Sequence, residues 1–127
     1  MATRRERLRK LVEVQAQLKA LHETRRAGFL AEAAAADAEA KAVAERFDAA
    51  DSLAALFPEL YHNRIAGALA RRDAGLEAAR REAGLVAAAT ARANMVERAY
   101  DAVRSQDERR RGDRERLEII ENKRAAK

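Results

Sequence analysis

Ser52-Leu53-Ala54-Ala55-Leu56-Phe57-Pro58-Glu59-Leu60-Tyr61-His62-Asn63 contains the only proline of the chain, and this stretch decides the fold. Pro58 disfavours helical geometry at Phe57 and lacks the N–H that an uninterrupted helix would use. It can still open a new helix at its first turn. On both sides of it, apolar residues recur at helical spacing. Upstream, Phe29, Ala33, Ala36, Ala40, Val43, Phe47 and Ala50 are separated by alternating steps of four and three. Downstream, Ile65, Leu69, Leu76, Ala79, Ala83, Val86, Ala93, Val96, Tyr100, Val103 and Leu117 mark the candidate face of a second helix. Two amphipathic helices joined at a proline-marked break predict an antiparallel coiled-coil hairpin, an all-α fold.

Working outward, helix 1 is expected over about residues 3–52, the turn over 53–63 and helix 2 over 64–124, in a single domain. Thr3 with Glu6 three residues later has the spacing of a capping box. From there Leu8, Leu11, Val14, Leu18 and Leu21 define one helix face. That row is out of phase with the one starting at Phe29. One heptad beyond Leu18 lies Arg25, four residues short of Phe29, so a stutter is expected near Gly28. Leu18, Leu21, Val43, Phe47, Val96, Tyr100 and Val103 are the expected better-buried seam positions. At ~1.5 Å per residue the helices would span roughly 75 and 95 Å, leaving the C-terminal arm to overhang.

Composition agrees with a thin helical seam. Charged residues make up 37% of 127 residues, and alanine supplies most of the apolar count, with 3 Phe, 2 Tyr and no Trp. Small apolar side chains fill a narrow interface between helices, not a thick core. There is no cysteine, hence no disulfide, thiol nucleophile or cysteine-based metal site. No window is apolar enough for a transmembrane helix and the N-terminus carries no signal-peptide core, so a cytoplasmic protein is expected.

The sequence offers no catalytic constellation, metal set or cofactor motif, and a non-enzymatic protein is expected. His22 and His62 stand forty residues apart without a carboxylate cluster at ligand spacing and read as structural or solvated. Charge is unevenly distributed. Residues 1–27 hold 8 basic and 3 acidic side chains, residues 28–63 hold 2 and 7, and residues 64–127 hold 16 and 11. A chain folded back at Pro58 would bring both basic stretches to its open end. Arg109, Arg110, Arg111 and Arg114, with Arg4 and Arg5, are the candidate contacts there. Two readings stand: a solvated face held by pairs such as Glu77 with Arg81 or Asp107 with Arg111, or a charged contact to a partner. Interleaved acids and the lack of aromatic platforms disfavour nucleic acid. At the turn, Leu53, Leu56, Phe57, Leu60 and Tyr61 concentrate bulky apolar groups, either as a binding tip or as a local cap.

The stretch from Val96 to Lys127, in which an apolar heptad gives way to a Glu/Arg-rich run, resembles the C-terminal helix of the FliJ/YscO family of type III secretion stalk proteins. The likeness extends over the whole chain: its size, its two long helices, its central break and its charged C-terminal arm. Its length and its scarcity of Gln and aromatic residues depart from that family. The resemblance implies a cytosolic stalk of a flagellar or injectisome export apparatus. Its terminal end would enter a hexameric export ATPase and its tip would reach the export gate. A general helical adaptor or chaperone-like hairpin is the alternative, and a basic helical surface for nucleic acid or anionic membrane is a third.

Overall fold

The computed structural model describes residues 2–126. It is an antiparallel two-helix hairpin of α1 (Arg4–Asp48, 45 residues) and α2 (Pro58–Ala125, 68 residues), with no strand among the described residues. Residues 49–57 form the turn, so α1 ends about four residues before the expected boundary and α2 begins at the proline itself. The expected helix 2 start at residue 64 is therefore corrected: Pro58 occupies the first helical position, where its missing N–H costs no intrahelical bond.

Local chemistry fixes both ends. The Thr3–Glu6 capping box forms as its spacing predicts: the Thr3 N–H donates to Glu6 Oε2 at 3.3 Å and the Glu6 N–H to Thr3 Oγ1 at 3.2 Å. At the turn, the Ser52 hydroxyl donates to the orphan Phe47 carbonyl at 3.0 Å and accepts from the Ala54 N–H at 3.4 Å. The Leu53 carbonyl then accepts from Leu56 and Phe57, closing one helical turn before Pro58. No residue needs positive φ to make this reversal.

Burial follows one heptad on each helix. Writing the heptad abcdefg with a and d facing the partner, α1 places Leu8, Val12, Gln15, Lys19, His22, Phe29, Ala33, Ala36, Ala40, Val43 and Phe47 at a or d. On α2 the row runs Tyr61, Ile65, Ala68, Arg72, Gly75, Ala79, Glu82, Val86, Ala89, Ala93, Val96, Tyr100, Val103 and Asp107. Every one of these is buried or half-buried, whereas Arg26, at the a position between His22 and Phe29, is exposed.

Two expectations fail here. Leu11, Val14, Leu18 and Leu21 are 45%, 47%, 38% and 43% exposed and lie at g and c, outside the seam. There is also no stutter: the row through Leu8 and Val12 is already in phase with Phe29. The cause is continuity. The α2 row keeps its three-four alternation without a break, so α1 can follow it only by holding one phase, even at the expense of its leucines. Leu76 and Leu117 likewise prove exposed, while Ala68, Arg72, Gly75, Glu82 and Ala89 take seam positions that apolar size does not reveal.

By contact the chain divides into two units, residues 19–88 and residues 1–18 with 89–127. In the first, the seam is alanine-lined: Ala33, Ala36, Ala40, Ala68 and Ala79 are buried. Backbones approach so closely that a Cβ added at Gly75 would lie 3.1 Å from both the Ala33 Cβ and the Phe29 carbonyl oxygen. Beside the turn, the Phe47 ring meets Tyr61 edge-on at 5.8 Å and His62 at 5.2 Å. In the second unit, Ala89 and Ala93 are buried, and Leu8, Val12, Val96, Tyr100 and Val103 are half-buried. Past Asp107, every described residue of α2 except Gly112 is exposed.

Candidate interaction surfaces

The turn of the 19–88 unit carries the first candidate site. Leu53, Phe57, Leu60 and Tyr61 line a groove of about 460 Å³ together with Val43, Ala42 and the charged rim of Glu39, Arg46 and Arg64. The structure thus brings four of the five sequence-predicted tip residues to one surface. Leu56 stands apart from it and is 72% exposed. Tyr61 is a seam residue as well, held by Phe47. Within the turn Ala54 is buried, and its N–H donates to the Ser52 hydroxyl. The bulky groups Leu53, Phe57 and Leu60 all remain more than half exposed.

Ion pairs hold the flanks of this unit. Glu39 receives Arg71 at 2.8 Å and Arg64 at 3.8 Å, both across the helix pair. Asp37 takes Lys41 and Arg72, each at 3.1 Å. The hydrogen bond from Lys41, then that from Arg72, holds the Asp37 carboxyl below its ordinary range, while Asp37 in turn raises the Arg72 guanidinium. Sequence periodicity places Arg72 on the seam only once the heptad is known. Its guanidinium reaches Asp37 across the helix pair.

Deeper in the same unit, His22 Nδ1 lies 2.8 Å from Glu82 Oε2, with the two side chains only 19% and 12% exposed. His22 is thereby a structural histidine that satisfies a buried carboxylate. His62 lies on Phe47. No group of three His, Cys, Asp or Glu residues able to hold a metal occurs among the described residues.

The second candidate site is the arginine-rich run of α2 in the terminal unit. Arg109, Arg110, Arg111 and Arg114 are exposed, as is Arg4, whereas Arg5 is half-buried at an a position of the seam. The ion pairs of this run stay inside its own helix: Arg104 with Glu108, Arg111 with Glu115 at 3.7 Å and Arg116 with Asp113 at 3.5 Å. Arg111 thus pairs toward Glu115, not toward Asp107. The expected Glu77–Arg81 pair is present at 4.0 Å.

Sequence reasoning missed a third surface, the g/c row Leu11–Val14–Leu18, because it assigned those leucines to the core. The signal that separates the two rows is phase: only the row through Leu8 and Val12 continues into Phe29 without a stutter. No helix of the structure is long and apolar enough to cross a membrane. No family model, curated protein or solved structure matches this chain.

Proposed function

We propose that this chain is a non-enzymatic stalk or adaptor of a type III protein export apparatus, engaging a hexameric export ATPase through its charged terminal arm and an export gate through its turn. The observation that carries this reading is the arm itself. Beyond Asp107, α2 continues to Ala125 as an exposed helix whose ion pairs all fall within it. Arg109, Arg110 and Arg114 have no ion-pair partner among the described residues, and a partner outside would supply one. Surface charges of this kind set encounter rate and orientation more than affinity, and their effect weakens with salt. The family resemblance of residues 96–127 supplies the identity of the partner.

The test is the triple variant Arg109→Glu, Arg110→Glu, Arg111→Glu. It is expected to keep the helical spectrum of the wild type, because all three side chains are exposed. Stimulation of a hexameric export ATPase by the protein is expected to fall at least tenfold. Unchanged stimulation, or no binding of wild type to such an ATPase, overturns the stalk reading.

The turn groove favours the second reading, a general helical adaptor. Its apolar floor of Val43, Phe57 and Leu60 suits the side chains of a bound segment whatever the larger assembly. Capture of a partner that Phe57→Ala/Leu60→Ala abolishes and the arginine variant leaves intact would favour it.

A further inference from the structure

The terminal unit has two chemically opposite sides, divided along the heptad. On the b/e side lie Glu6, Glu13, Glu97, Asp101 and Glu108, and arginines among them compensate several: Arg9 with Glu13, and Arg104 with both Asp101 and Glu108. On the c/f/g side, from Arg4 to Leu18 and from Ala89 to Arg109, no acidic residue occurs at all. There Leu11, Val14 and Leu18 form an exposed row, and Met95, 69% exposed, occupies a c position on α2. The flanking charges are Arg7, Lys10, Arg92 and Arg98, all exposed and none with an ion-pair partner among the described residues.

The g and c positions of the two helices border each other on one side of the pair. In the other unit this is explicit, since Glu39 and Arg71, both at g, form a 2.8 Å ion pair. In the terminal unit, residues 1–18 pack with residues 89–127, and its own buried and half-buried a and d rows put the Leu11–Leu18 row and the Arg92–Met95 segment on this same side. An apolar row with steps of three and four is the ridge pattern that receives another helix. Its border is uniformly positive and uncompensated.

We propose that this face of the terminal unit is a docking surface for an acidic amphipathic helix of a partner protein, which lays an apolar row against Leu11, Val14, Leu18 and Met95 and sets carboxylates against Arg7, Lys10, Arg92 and Arg98. A second copy of this chain is a poorer occupant, because its own matching face carries the same positive border. A lipid surface is poorer too, since the face lacks the Trp and Phe that anchor interfacial helices. The surface is small, so binding is transient and salt-sensitive. The inference does not depend on the stalk reading: it concerns the face before residue 109, not the arginine run beyond it.

Two synthetic three-heptad peptides test it by fluorescence anisotropy with the full chain. Both carry leucine at a and d; one has glutamate at e and g, the other lysine. The glutamate peptide is expected to bind, and the lysine peptide to bind at least tenfold more weakly. Leu11→Gln/Leu18→Gln is expected to weaken the glutamate peptide at least tenfold with an unchanged circular dichroism spectrum, as both side chains lie outside the seam. Arg7→Glu/Lys10→Glu is expected to erase the preference. Equal binding of the two peptides overturns the proposal, as does no binding of either. Tighter binding of wild type to phosphatidylglycerol-containing vesicles than to the glutamate peptide would replace it with a membrane surface. A dimer in light scattering that Leu11→Gln/Leu18→Gln returns to monomer would replace it with self-association.

Discussion

Gly75 shows how a single missing methyl group sets the spacing of the helix pair. The space above it is filled by the Phe29 carbonyl, the Ala33 N and the Ala33 Cβ at 3.1–3.3 Å, and none of these can rotate away. Alanine in an exposed helix position gains about 1 kcal/mol over glycine. Gly84, with nothing within 4 Å of an added Cβ, should show that gain in full. Gly84→Ala is therefore expected to raise the melting temperature and Gly75→Ala to lower it, a reversal of sign measured in one thermal scan. Phe47 is the complementary case, since its ring is held by Tyr61 and His62 but remains half-exposed. Phe47→Ala should cost at most about 3 kcal/mol, the lower end for a core phenylalanine. An unchanged melting temperature would mean that Phe47 does not close the turn. At the flank, Asp37 contributes stability above its unfolded-state pKa, because its folded pKa is lowered by Lys41 and Arg72. That contribution is lost as pH falls through the depressed folded value. Asp37→Asn should thus destabilise at neutral pH and converge with wild type in strong acid, which chemical denaturation at two pH values can check.

At the scale of the helix, the division between what the sequence disclosed and what it concealed has a physical cause. The hairpin, the capping box and the break at Pro58 were legible, because they rest on local chemistry and on spacing. So was the upper seam from Phe29 to Phe47, where the a and d residues are also the apolar ones. In the lower seam the α2 positions Val96, Tyr100 and Val103 were legible, but the α1 side was not. There α1 offers two rows: large leucines at g and c, and a mixed row of Leu8, Val12, Gln15, Lys19 and His22 at a and d. Size favours the first and phase favours the second, and phase prevails because α2 keeps one register. The turn residues of the candidate groove could be named from the sequence, but their convergence with Val43 could not, since it depends on where α1 ends. The polar seam has a measurable consequence. Gln15 Oε1 is buried without a hydrogen-bond partner, so Gln15→Leu should stabilise the hairpin. Glu82→Ala should destabilise it by about 1–3 kcal/mol by leaving His22 unpartnered, whereas the double change His22→Leu/Glu82→Leu should restore or exceed wild-type stability. Urea denaturation of the three variants distinguishes them.

Across the whole molecule, the same register that buries the mixed row exposes the leucines, and the charges follow it. Acids and their arginine partners share one side of the terminal unit, and unpaired basic residues border the leucine row on the other. The proposed acidic-helix surface presupposes this single phase. Because the chain lacks cysteine, the phase can be measured directly by paired substitution. A disulfide requires Cα atoms within about 7 Å. The variant Val12→Cys/Val96→Cys joins an a position of α1 to a d position of α2 in the terminal unit. It is expected to close an intramolecular disulfide on mild oxidation, while Val14→Cys/Val96→Cys stays reduced. Cross-linking of the Val14 pair in place of the Val12 pair would put the leucine row in the seam and contradict the account.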